Sequence, residues 1–216
     1  MANGRPGGTV DVSTPDLIRN VALIGPSGSG KSALVAALLG QHDPLTQERS
    51  VSLAVSPLLH DGTKVNLVDT PGYADFAGEV RAALRAVDAV LFVLPANGAI
   101  DEGTRQLWRE CSETPRAIVV TKLDHARADY EGVLAAAQAA YGERVMPVLQ
   151  RTDALIEAVI EESEDEGLME RYLAGEPVEE KQLMEDLERA MARGTFFPVV
   201  PACAAKIGRA SCRERV

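Results

Sequence analysis

The sequence predicts a doubly wound α/β fold: a mainly parallel sheet covered on both faces by helices, with a helical insertion near its end. Three observations lead there. Short apolar runs rich in β-branched residues alternate with amphipathic stretches along most of the 216 residues, the pattern of strands buried on both faces. A glycine-rich loop, GPSGSGKS (25–32), joins one such run directly to a helix. Each tetrapeptide with evident chemistry also follows an apolar run, which in such a sheet collects them beyond the carboxyl ends of the strands, on one edge.

The elements follow in order. Residues 1–16 (MANGRPGGTVDVSTPD) are rich in Gly, Pro, Ser and Thr and read as a mobile leader. A core occupies 17–150, with strand VALIG (21–25), helix 31–40, strands VSLAV (51–55) and KVNLVDT (64–70), and helix 77–87. It continues through strand AVLFVL (89–94), helix 101–112, strand AIVVTK (117–122), helix 126–140 and strand VMPVL (145–149). From 151 to 195 the strands stop and apolar residues recur at helical spacing: Leu155, Val159 and Ile160, then Leu168, Met169, Tyr172 and Leu173, then Leu183, Leu187 and Met191. That is the insertion. FFPVVPAC (196–203) returns to the sheet, so 196–206 hold the last core strand and its following loop.

Composition excludes several classes. At 46% hydrophobic and 25% charged residues the chain can bury one sizeable core. The longest apolar run, AVLFVLPA (89–96), is too short to span a bilayer, and residues 1–16 lack a signal peptide's apolar stretch. Cys111, Cys203 and Cys212 are odd in number and widely spaced, which favours neither a disulfide framework nor zinc. A cytoplasmic monomer with reduced thiols and no membrane partner is expected. A net charge of −10 argues against a surface that coats DNA or RNA directly.

GPSGSGKS fits G-x-x-x-x-G-K-[ST] in the strand-to-helix context that motif requires. Backbone N–H groups of the loop formed by Gly25, Pro26, Ser27, Gly28, Ser29 and Gly30 turn inward around phosphate oxygens, at a helix N-terminus whose dipole favours anions. Lys31 is expected to reach the β- and γ-phosphates and Ser32 to ligate Mg²⁺. TKLD (121–124) resembles a guanine-reading N/T-K-x-D box. Asp124 can accept from the guanine N1–H and exocyclic amine together, and a buried carboxylate left unpaired would reject adenine. Lys122 lays its stem over the base, while Thr121 offers a hydroxyl where an amide usually braces the loop. Asp69 ends a strand and is placed to hold Mg²⁺ through water, and the Gly72 N–H to meet the γ-phosphate, making 70–86 a switch. GTP or GDP with Mg²⁺ is therefore the expected ligand set.

DTPGYADF, TKLDHARADY, QERSVSL and IEESEDEGLMERYLAGE together resemble the GTP-binding domain of elongation factor G, and most closely its elongation factor G-like bacterial paralogues, over roughly residues 17–206. The resemblance implies a P-loop GTPase that engages the ribosome in protein biosynthesis, with the later helices matching an extra subdomain of that factor. It implies that Cys203 and Ala204 support guanine through backbone N–H groups, where the family has a Ser-Ala pair. It also places Ser52 on the switch threonine that ligates Mg²⁺. Acidic EESEDE (161–166) is either a solvated helix face or a contact for a ribosomal stalk protein.

The chain departs from the family pattern in four places. Tyr73 replaces the His that orients attacking water. QERSVSL stands where the family usually has QERGITI. Only residues 40–46 separate the first helix from that segment, and the insertion is abbreviated around 149–152. The last ten residues, IGRASCRERV (207–216), match nothing in the family and read as the translation of a common short-read sequencing adapter, so they are set aside from the fold as an artefact. Three functions are open at this point: a GTPase domain in which Lys31, Gly72 and Tyr73 carry the chemistry, a GTP-binding switch with little hydrolysis, or a truncated fragment that does nothing alone. Tyr73 favours the second, because a phenol is a poor base and too bulky to copy imidazole geometry.

Overall fold

A computed structural model describes residues 14–40, 52–149, 152–163, 166–174 and 178–207. The leader expected over 1–16 lies mostly outside them, as do residues 47–51, part of the acidic run and residues 208–216. Where description begins, Pro15–Leu17 make a 3-10 turn that leads into β1 (Ile18–Ile24), three residues earlier than the sequence pattern suggested.

Among the described residues seven strands form one sheet in the order β2-β3-β1-β4-β5-β7-β6. The others are β2 (Ala54–His60), β3 (Thr63–Asp69), β4 (Ala89–Pro95), β5 (Arg116–Thr121), β6 (Val145–Pro147) and β7 (Phe197–Pro201). All neighbours are parallel except β2 on β3. The expected strand 51–55 is therefore displaced to 54–60. Its cause is the two-residue hairpin at Asp61-Gly62, with φ of 45° and 79°, the left-handed pair that a type I′ turn requires. Pro57 sits within β2, which a sheet tolerates because β2 is an edge strand.

The central strands alternate their side chains between two cores. Ala22 and Ile24 of β1, Val90, Phe92 and Leu94 of β4, and Ile118 and Val120 of β5 face one of them. Helices α2 (Ala77–Leu84), α3 (Glu102–Glu110) and α4 (Tyr130–Tyr141) cover that face through Val80, Ala83, Trp108, Val133 and Ala137. Leu23, Val93 and Val119 face the other, covered by α1 (Lys31–Leu38) through Leu34 and Val35. Burial on both faces is why these strands read as unbroken apolar runs. Each fully buried Phe or Ile contributes about 1.5–3 kcal/mol of transfer free energy.

The helix predicted from 126 starts at Tyr130 instead. Residues 122–128 are spent on turns, with His125 N–H bonded to Lys122 O and Ala128 N–H to His125 O, and Asp129 then caps the helix by accepting from Gly132 N–H at 2.9 Å. The insertion is α5 (Asp153–Glu162), α6 (Glu166–Leu173) and α7 (Glu180–Arg193). Its core of Leu155, Val159, Ile160, Leu168, Leu183 and Leu187 is continuous with Met146, Val148 and Phe196, so these helices pack against the sheet at its β6 end.

Cys111 lies wholly buried beside Trp108 in the first core, and burial pushes its thiol up to about 12. Its peptide is expected to remain unlabelled by iodoacetamide at pH 8 in native protein and to label fully in denaturant, read by peptide mass mapping; native labelling would contradict the packing. Among the described residues no helix is long and apolar enough to cross a membrane.

Candidate functional site

The sheet order places β1 between β3 and β4, and β5 beside β7. The chain leaves β1 for β3 on one side and returns to β4 on the other, so the switch point of the sheet lies at the carboxyl end of β1, where ligands bind in doubly wound folds. The loop GPSGSGKS emerges there, and the DTPG, TKLD and ACAA segments leave β3, β5 and β7 along the same edge.

Close packing shapes the phosphate loop. A Cβ on Gly25 would lie 2.2 Å from Val93 O, so nothing larger than glycine fits between β1 and β4. Ser29 N–H closes the turn onto Pro26 O at 3.2 Å, with Ser27 and Gly28 exposed at its crown. Gly30, at φ 95°, is the N-cap of α1, and its carbonyl accepts from Leu34 N–H. The Lys31 side chain folds back under the loop, its ammonium donating to Gly25 O at 2.8 Å and Pro26 O at 3.1 Å. Burial lowers the Lys31 pKa to about 8, partly opposed by the Asp69 carboxylate. A buried ammonium whose charge is disfavoured gains from an incoming polyanion.

Asp69, the last residue of β3, is buried and accepts from Ser32 Oγ at 2.5 Å. Two of the three proposed metal-site oxygens are thereby already together. Ser52 is exposed and precedes β2, whose Ala54 is the register partner of Asp69, so it stands at the same end of the sheet. Thr70, which sequence reasoning passed over, is fully buried and ties the segment to β1: its hydroxyl donates to Leu23 O at 2.7 Å. The only signal for it was a hydroxyl residue directly after a strand-ending carboxylate.

Gly72 lies against the phosphate loop. A Cβ there would come 2.6 Å from Lys31 Nζ, 2.7 Å from Ser27 N and 2.8 Å from Pro26 C. Tyr73 follows on the exposed side, its carbonyl accepting from Phe76 N–H as the 3-10 turn Ala74–Phe76 begins.

The TKLD segment is braced to the phosphate loop from below. Buried Thr121 donates from Oγ1 to Ser29 O at 2.5 Å, across 92 residues of sequence, and its backbone carbonyl accepts from Ala96 N–H. A buried hydroxyl bond of this kind contributes about 1 kcal/mol. Ser29, the residue it holds, is itself wholly buried, with a hydroxyl that makes no hydrogen bond among the described residues. Lys122 adopts a left-handed φ of 57°, unusual for a residue with a Cβ. Asp124 is exposed on the following turn, which corrects the expectation of a buried carboxylate: within the box only Thr121 is fully buried. Beside it, Ala202 N–H bonds to Val120 O, and the carbonyl of buried Cys203 accepts from Lys206 and Ile207 N–H in a turn that carries Ala204.

These residues fit a nucleotide with its metal: a cradle that added Cβ atoms would fill, a buried ammonium beneath it, and a hydroxyl-carboxylate pair suited to a hard cation. Of the acidic run 161–166, Glu161 and Glu162 are paired with Arg144 at 2.7 and 3.3 Å, which assigns part of its charge to holding α5 against the turn before β6.

Comparison with known proteins adds to this geometry. The family model described as "Elongation factor Tu GTP binding domain" matches residues 46–210. An elongation factor G-like protein of Mycobacterium tuberculosis is 47% identical over 248 residues, covering 88% of this chain and 35% of the relative. That alignment is longer than the 216-residue chain, so the relative carries internal segments with no counterpart here. An elongation factor G-like protein of Thermotoga maritima is 28% identical over 88% of the chain and 35% of its own length. A Thermus thermophilus protein of known crystal structure superposes with a TM-score of 0.75 at 30% identity, over 87% of this chain and 37% of that one. The chain thus spans about a third of the length of these relatives.

Proposed function

Because the chain belongs to the family of the elongation factor Tu GTP binding domain, within the reach of its elongation factor G-like members, we propose that it binds GTP and GDP with Mg²⁺ and hydrolyses GTP on the ribosome as part of a translation factor. The buried Lys31 ammonium beside the Ser32–Asp69 pair carries this reading. The loop 25–30 cradles the phosphates through its backbone N–H groups, and Lys31 neutralises charge at the β- and γ-positions. Ser32, Asp69 and Ser52 would hold Mg²⁺, which supplies further charge neutralisation on the phosphate oxygens. Gly72 senses the γ-phosphate by its N–H, and Asp124 reads guanine while Lys122, Cys203 and Ala204 support the base. Water attacks in line, the charge that develops being met by groups already in place.

Tyr73 favours a second reading, a GTP-binding switch that hydrolyses slowly. Its side chain is exposed at the residue after Gly72, with no imidazole there to orient water. Single-turnover hydrolysis with and without ribosomes, comparing the full-length protein with Tyr73→His, separates the two. The impaired switch predicts a rise of roughly 10-fold or more in the variant. A fast wild-type rate that Tyr73→His leaves unchanged would remove it, and absence of ribosome-stimulated hydrolysis in both proteins would remove the first reading.

A further inference from the structure

Resting on the nucleotide-binding reading, we propose that Arg81 and Glu110 form a latch that holds the switch helix α2 against α3 and so sets the preference for nucleoside diphosphate over triphosphate. The guanidinium of Arg81, on α2, meets the Glu110 carboxylate at the end of α3 with both forks engaged: Nε to Oε2 at 2.9 Å and Nη2 to Oε1 at 2.7 Å. A two-point contact of this kind fixes orientation as well as distance. The pairing raises the Arg81 pKa and lowers that of Glu110, each through the hydrogen bonds to the other.

The position of this pair gives it leverage. α2 is eight residues long, fully buries Val80 and Ala83 and packs Leu84 half-buried against the same core, but carries no aromatic anchor. It follows directly on the 3-10 turn 74–76, which is bonded back to Tyr73 O, one residue from Gly72. Gly72 in turn rests on Lys31 Nζ and Ser27 N so closely that a Cβ does not fit. A terminal phosphate seated on Lys31 shares that ammonium with Gly72, so its arrival must shift Gly72, which then meets it through its N–H. That displacement runs through a short, hydrogen-bonded turn into α2, and a bidentate pair farther along the helix resists it. α3, by contrast, is held by Trp108 packed among Phe92, Tyr141 and Phe197. The latch therefore joins an element without an aromatic anchor to one that has it.

The test is the dissociation constant of fluorescently labelled GDP and of a labelled non-hydrolysable GTP analogue for the whole chain as wild type, Arg81→Gln, Glu110→Gln, and the charge swap Arg81→Glu with Glu110→Arg. Each single variant is expected to shift the triphosphate-to-diphosphate affinity ratio about two- to five-fold toward triphosphate, the range of partly exposed ion pairs, and the swap to restore it. Raising salt to about 1 M, which weakens nucleotide binding in every variant, should narrow the gap between the wild-type ratio and that of the single variants, a response that simple loss of packing does not produce. Unchanged ratios in variants that bind both nucleotides would overturn the latch. Failure of the wild type to bind either nucleotide would overturn the nucleotide-binding reading and the latch with it.

Discussion

Asp124→Asn is expected to weaken GTP and GDP binding by about 100-fold or more and to improve binding of xanthosine triphosphate by a comparable factor. The reason is donor and acceptor matching. Guanine offers two adjacent donors, N1–H and the exocyclic amine, and a carboxylate accepts both. An amide turned to accept one presents its NH₂ toward the other, and xanthine, with a carbonyl in place of the amine, suits that arrangement instead. A site built around specific hydrogen bonds rejects an analogue that leaves its groups unpaired far more strongly than an apolar pocket rejects a missing methylene. The Asp124 carboxylate is exposed on its turn, so the substitution leaves the fold intact, and the loss should appear in affinity with little change in melting temperature. The neighbouring contacts that position the turn come from buried Thr121 and Lys122 O, and neither depends on the residue 124 side chain. Equilibrium titration with labelled GDP and competition by xanthosine triphosphate check it. Retained GDP affinity would remove Asp124 from base recognition.

The sheet and its cores were legible in the sequence wherever two faces are buried. Runs such as AVLFVL and AIVVTK have the length and β-branched content of covered strands, and the alternation of Phe92 and Val93 between two cores bears that out. What escaped was local. The edge strand β2 has one partner and exposed Val55 and Leu59, so it carries a weak apolar signal. The stronger one was the Asp61-Gly62 turn, which fixes register by backbone geometry rather than hydrophobicity. The site divides in the same way. Lys31, Asp69 and Gly72 belong to patterns whose spacing reflects phosphate chemistry. Thr70 and Ser29 are tied to groups distant in sequence, Leu23 O and the Thr121 hydroxyl, and a single sequence does not display such partners. Asp124 follows β5 but is exposed rather than buried, because the turn that carries it is built from loop rather than from the sheet.

Gly72→Ala should separate nucleotide binding from the response to the γ-phosphate. The added methyl would lie 2.7 Å from Ser27 N and 2.8 Å from Pro26 C, both backbone atoms of a loop that cannot retreat because β1 and β4 close on Gly25 behind it. Lys31 Nζ, at 2.6 Å, is the flexible end of a side chain, yet it is held by Gly25 O and Pro26 O and has little freedom to leave. The segment after Asp69 must therefore lift, and the Gly72 N–H loses its approach to a terminal phosphate. On the proposed reading the diphosphate is held by 25–32, which the substitution leaves untouched. GDP affinity is expected to stay within about three-fold of wild type, the GTP analogue to lose any advantage drawn from Gly72, and hydrolysis to fall roughly 100-fold, the effect of removing one donor from a transition-state site. Forcing a methyl into closed packing typically costs about 1–3 kcal/mol, but lifting the segment relieves it, so thermal stability should fall by less than that. Arg81→Gln provides the contrast: it also frees the switch helix, yet it leaves the glycine able to close on the phosphate, so it should raise relative triphosphate affinity where Gly72→Ala does not. Equal behaviour of the two variants in labelled-nucleotide titration and single-turnover hydrolysis would show that contact at Gly72 and restraint of α2 are not distinct steps.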